Sequence, residues 1–168
     1  MTRLASCRIN RAIALFAGAA ASAACSESYR SSVVENPAPA VEAVLVISDA
    51  APPVGAALVV SVQAKSNQGT VGSYTARIKY DSAALRFEGE IAMSDNGLRA
   101  LNPSPGLLRF AGATAGGFPD GRLASYKFVV LQANGAKTLS LAVDEMHMIT
   151  RTDAKSVLTV APNRAASQ

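Results

Sequence analysis

Residues 72–85 read GSYTARIKYDSAAL, 107–113 read LLRFAGA and 121–131 read GRLASYKFVVL. In the first stretch Tyr74, Ala76, Ile78 and Tyr80 alternate with Thr75, Arg77 and Lys79. A period of two is that of a strand with one buried face. Turn signals bound each piece. Asp81-Ser82 follows the first, with an Asp side chain suited to bonding its own following backbone. An Asp120-Gly121 pair opens the third. These three stretches predict antiparallel strands and make the chain a β protein.

Working outward, the same punctuation recurs. Residues 42–48 (EAVLVIS) form a first strand, closed by Asp49 and Pro52-Pro53, and 57–64 (ALVVSVQA) a second, ended by the loop Ser66-Asn67-Gln68-Gly69. Shorter strands are expected at 85–91, 97–101 and 107–113, with Pro103 and Pro105 denying ladder donors between the last two. Phe118-Pro119-Asp120-Gly121 turns into a strand at 123–131, Asn134-Gly135 turns into 138–149, and 156–161 closes the series. A single helical turn over 82–85 is the only helical signal. About nine short strands without a repeat indicate an all-β sandwich. Tyr74, Ile78, Tyr80, Leu108, Phe110, Tyr126, Phe128, Val130, Leu139, Leu141 and Val143 make its expected two-layer core. The hydroxyls of Tyr74 and Tyr80 then need partners near the rim.

The N-terminal end has a different character. Residues 1–24 read as a signal peptide: Arg3, Arg8 and Arg11 with no acidic residue, then a short apolar run over 12–24. Thirteen apolar positions fall short of the roughly 20 that a membrane-spanning helix needs. Ser22-Ala23-Ala24-Cys25 resembles a bacterial lipobox, in which Cys25 is lipidated and becomes the first residue, although Ser22 stands where Leu is usual. Ordinary cleavage that leaves a free thiol is the alternative. The expected location is the cell envelope, at the outer membrane if the host has one, or else the secreted fraction. Residues 25–40 form a lipidated cysteine and a polar tether (SESYRSSVVENPAPA from 26), 41–163 the domain and 164–168 a tail. The full chain has 16 Lys+Arg against 12 Asp+Glu. The leader holds three of the basic residues and no acidic one, so the remainder carries 13 against 12. A net charge of +1 gives no case for nucleic acid. Cys7 lies in the leader, which leaves Cys25 alone, so the fold relies on its apolar core. At about 125 residues, it buries roughly two-thirds of its unfolded surface.

Enzyme chemistry needs convergent groups, and none assemble. His147 is the one histidine, in Glu145-Met146-His147-Met148. On a strand the methionines share one face and His147 takes the other, which makes it a surface or rim residue rather than a copper ligand. Asp144 and Glu145 diverge in the same way, and Glu88 and Glu90 share a face as a solvated pair rather than a glycosidase pair. The glycine-rich 113–117 precedes no helix and so forms no phosphate cradle. No acidic loop has calcium-ligand spacing. No metal or cofactor site is expected. The chain has no Trp, which argues against a flat polysaccharide platform but leaves a groove for soluble glycan open.

The ordered set VLVIS, Pro52-Pro53-Val54-Gly55, ALVVSVQA, Gly72-Ser73-Tyr74, Lys79-Tyr80-Asp81 with Leu85, Arg109-Phe110-Ala111 and Gly121-Arg122-Leu123-Ala124 resembles the cohesin domain family over roughly 43–160. Ser82 stands where the family usually has proline. The resemblance implies a nine-stranded jelly-roll β-sandwich, related to bacterial carbohydrate-binding modules, that docks dockerins without catalysing a reaction. It further implies a docking sheet made of the third, fifth, sixth and eighth strands. Its outward residues here would be Thr75, Arg77, Lys79, Arg99, Arg109, Ser140, Ala142 and Asp144. Four of these are basic, so an acidic partner surface is expected, dockerin-like or otherwise, because like charges across an interface are disfavoured. The alternatives are a glycan-binding module and a structural subunit of an envelope assembly.

Overall fold

The computed structural model describes residues 40–94 and 97–166. The expected leader, Cys25 and the tether up to 39 lie outside the described residues. Ten strands follow in order: β1 Val41–Ile47, β2 Ala57–Ser66, β3 Val71–Lys79, β4 Leu85–Glu90, β5 Leu98–Ser104, β6 Leu107–Ala113, β7 Arg122–Val130, β8 Ser140–Met148, β9 Leu158–Val160 and β10 Arg164–Ala165. The only helices among the described residues are single 3-10 turns at Pro119–Gly121, Gly135–Thr138 and Lys155–Val157.

The strands form two sheets. One has the order β10-β1-β2-β7-β4, with β9 also on β1; the other has the order β5-β6-β3-β8. The inward residues predicted on β3 are buried: Tyr74, Ala76 and Ile78 alternate with exposed Thr75, Arg77 and Lys79. Opposite them, Leu58, Val60 and Val62 of β2 and Tyr126, Phe128 and Val130 of β7 are buried. Every aromatic side chain among the described residues joins one connected set of tilted rings. Tyr74 packs on Phe110 and Phe118, Phe110 on Tyr126, Phe87 on both Tyr126 and Phe128, and Tyr80 on Phe128. Edge-on pairs of this kind add about 0.5–1.5 kcal/mol each beyond the area they bury. Phe118, expected in a turn, is fully buried. Leu141 and Val143 pack only partly against the core. The two tyrosine hydroxyls do find carbonyl acceptors: Tyr74 donates to Leu123 at 2.7 Å and Tyr80 to Ser104 at 3.3 Å. Burial pushes the Tyr126 phenol well above the usual tyrosine range; neighbouring Tyr74 and Glu90 add to the rise and Arg99 opposes it.

Three departures from the expected strands have plain causes. The expected last strand forms as Leu158–Val160, parallel to Val41–Ala43 of β1, and a further short strand, Arg164–Ala165, runs parallel to Val46–Ile47 where a tail is expected. Pro162 lies between them and cannot donate, so the ladder breaks there, and the Asn163 side chain turns aside to donate to the Leu139 carbonyl at 2.8 Å. The tenth strand, where nine are expected, is therefore the pair of positions beyond 163 that resumes the pairing with β1. Second, β8 begins at Ser140 because Asn134 takes a left-handed conformation (φ 63°) and the chain makes a 3-10 turn first. Third, Pro103 lies inside β5, where it is tolerated because β5 is an edge strand bonded only to β6. The turn after β3 forms as predicted: the Asp81 carboxylate accepts from the Ala83 amide at 2.8 Å, and the Asp81 carbonyl accepts from Ala84 and Leu85.

Candidate docking face

The sheet β5-β6-β3-β8 is the one made of the third, fifth, sixth and eighth strands. Its register aligns outward side chains in rows. Leu98, Ala113, Ser73 and His147 form one row, and Ala100, Ala111, Thr75 and Glu145 the next. Asn102, Arg109, Arg77 and Ala142 form a third, and Ser104, Leu107, Lys79 and Ser140 a fourth. Of the residues expected here, Thr75, Arg77, Lys79, Arg109 and Ser140 are exposed, and Ala142 and Asp144 are half-buried. A register shift between Thr75 and Ala76 places Asp144 as the extra residue of a bulge. From there its carboxylate meets the Arg77 guanidinium at 3.0 Å. Both side chains are about two-fifths exposed (44% and 39%), so the pair adds little to stability, but it neutralises Arg77 locally.

Arg99 does not belong to this face. Register pairs it with Gly112, an inward position of β6. Its side chain is 14% exposed, lies 5.5 Å from the centroid of the Phe118 ring, donates to the Leu123 carbonyl at 3.4 Å and approaches Glu90 at 3.9 Å. The reason is position. β5 and β4 are the edge strands of the two sheets, and the gap between them is an open rim where a long side chain buries its stem and still finds polar partners. Leu98, its neighbour, points outward instead and is 79% exposed. Glu88 and Glu90 do not share a face either. Glu88 is the extra residue of a bulge between Phe87 and Gly89 and pairs with Arg86, which turns Glu90 toward Arg99. His147 takes the side opposite buried Met146 and Met148, at the rim.

The expected cluster of four cations therefore resolves differently. Arg99 is internal, Arg77 is paired, and Lys79 and Arg109 remain with no ion-pair partner among the described residues. The other end of the face holds what the sequence reading missed: a hollow of about 320 Å³ between Leu98 and His147, floored by Ala111, Ala113, Ser73 and Thr75. Only the cross-strand register reveals it, because its small residues come from different strands. A further hollow of about 220 Å³ shares Thr75, Ala100 and Ala111 and continues to Asn102 and Arg109. No three His, Cys, Asp or Glu side chains converge among the described residues. No helix among them is long and apolar enough to cross a membrane.

The outer side of β5-β6-β3-β8 is thus an open, troughed sheet face. The chain belongs to the cohesin domain family, whose model matches residues 43–165. Solved structures agree in fold. A non-cellulosomal cohesin from the hyperthermophilic archaeon Archaeoglobus fulgidus is 22% identical, with a TM-score of 0.53 over 76% of this chain and 93% of that one. A type II cohesin domain from the cellulosome of Acetivibrio cellulolyticus is 16% identical, with a TM-score of 0.56 over 74% and 92%. The sixth cohesin of scaffoldin B from the same organism, solved in complex with a dockerin, is 16% identical, with a TM-score of 0.54 over 76% and 99%. No curated protein sequence matches the chain significantly.

Proposed function

We propose that this chain is a non-catalytic, extracytoplasmic docking module that binds a protein partner through the outer face of β5-β6-β3-β8. It is held at the cell envelope by lipid on Cys25. The observation that carries the reading is the set of outward residues of the third, fifth, sixth and eighth strands, gathered on one open sheet and leaving Lys79 and Arg109 uncompensated. The partner is dockerin-like or presents another acidic surface. Complexes of other cohesins with dockerins support the protein partner. Among the described residues every aromatic ring is engaged in the core, which favours protein over polysaccharide, since a glycan platform uses exposed rings.

The test immobilises the full chain and captures proteins from the envelope and secreted fractions of the producing organism, in calcium and then in chelator. Retention in calcium alone, abolished by Thr75→Arg at the centre of the face, is the expected result for a dockerin-type partner. Capture that persists in chelator but still fails with Thr75→Arg points to a different protein partner. Capture indifferent to Thr75→Arg, or displaced by free oligosaccharide, overturns the reading.

A further inference from the structure

The docking face is not uniform, and its two ends ask for different chemistry. At one end Leu98 stands 79% exposed on an edge strand, while Ala113 and Ser73 beside it keep the two central strands low. His147 closes the far side, so the row is a trough with a leucine wall and a histidine wall. In the next row Ala100, Ala111 and Thr75 continue the low floor, with Glu145 at its β8 end. In the third row the floor rises into Arg109 and Arg77, and Lys79 follows in the fourth. An exposed leucine is costly to leave in water and useful to cover. An exposed cation without an ion pair gains from a carboxylate brought to it, and more so once the contact excludes water.

Resting on the docking reading above, we propose that the face recognises a bipartite protein element: an apolar side chain seated in the trough beside Leu98, and a carboxylate placed on Arg109 and Lys79. The spacing is set by β6 itself. Ala113 lines the trough and Arg109 lies four residues away on the same strand, about 13 Å at strand rise, with Ala111 halfway. The two shared hollows make this path continuous. Arg77 is held by Asp144 and serves as a neighbour that keeps the basic end positive rather than as the primary contact. Glu145 at the trough end disfavours a second carboxylate there, which fixes the direction in which the element lies.

The test selects random twelve-residue peptides displayed on phage against the full chain. Enriched peptides should contain an aliphatic or aromatic residue together with Asp or Glu, and their synthetic versions should bind more weakly as salt rises. Lys79→Glu with Arg109→Glu should weaken them about tenfold or more, and Leu98→Asp should do so independently. An unchanged melting temperature in both variants shows that the fold is intact. Peptides blocked by Thr75→Arg but indifferent to the charge reversal, or rich in Lys and Arg, overturn the bipartite chemistry while leaving the docking face standing. Peptides indifferent to all of these variants, or no enrichment at all, overturn both.

Discussion

Gly121 sits at φ +66°, and a Cβ built there would fall against the carbonyl oxygen of Ala64. Two costs therefore combine at this position: a left-handed backbone, and a close approach between the Pro119–Gly121 turn and the end of β2. Gly121→Ala is expected to lower stability by about 2–4 kcal/mol, read as a shift in urea midpoint at constant slope. Gly112 is constrained by a different neighbour. Its Cβ would come within 2.7 Å of the Tyr74 ring, whose hydroxyl is tied to the Leu123 carbonyl and so cannot swing away without losing that bond. Gly121 is visible in the sequence as half of an Asp-Gly turn signal. Gly112 resembles any small residue on a strand, and only the ring packed over it gives the reason.

At the scale of the strands, the edges carry what alternation alone did not reveal. Central strands such as β3 read correctly because both neighbours enforce their register, and a one-residue slip would turn Tyr74 and Ile78 to water. β5 is held from one side only, and its pattern Leu98-Arg99-Ala100-Leu101 offers no clear apolar face. Pairing with β6 decides the matter: Arg99 lies opposite the inward position Gly112, and Glu90 and the Leu123 carbonyl wait at the rim. Bulges had the same effect at Glu88 and Asp144, where one extra residue re-aims a carboxylate toward an arginine. The two arginines Arg99 and Arg109, alike in the sequence, therefore have separable roles. Arg99→Ala is expected to cost about 2 kcal/mol, through lost packing on Phe118 and the loss of a charged donor to the Leu123 carbonyl, which keeps the Tyr74 hydroxyl. Arg109→Ala should leave stability within about 0.5 kcal/mol and weaken partner binding. Chemical denaturation of the two variants side by side, with a binding measurement on each, checks both halves.

For the whole molecule, fold class was legible because it depends on the series of strands, which follows from turn residues and alternation along the chain, whereas the grouping of the third, fifth, sixth and eighth strands into one sheet came from the family resemblance. The trough was not legible, since it depends on which small residues meet across four strands. Net charge also has a meaning at this scale. From residue 25 onward there are 13 basic against 12 acidic residues, a part of the chain that casts little long-range field, so in the proposed docking mode selectivity would rest on local placement of Lys79 and Arg109 rather than on steering. Anchoring would restrict the search for a partner to the envelope. Cys25→Ser is expected to abolish incorporation of labelled palmitate in the producing host and to release the chain from the membrane fraction. Cys7→Ser should leave both unchanged.

The connected rings inside the sandwich also provide a reporter. The chain lacks tryptophan, so its near-ultraviolet circular dichroism comes from tyrosines and phenylalanines, and those among the described residues are held in fixed, asymmetric packing in the interior. None of the described rings stands on the outer side of β3, where Thr75, Arg77 and Lys79 lie. That spectrum should therefore vanish on unfolding and stay constant when the face is occupied by a peptide without aromatic residues. One optical signal then separates a variant that has lost its interior from one that has lost only its grip.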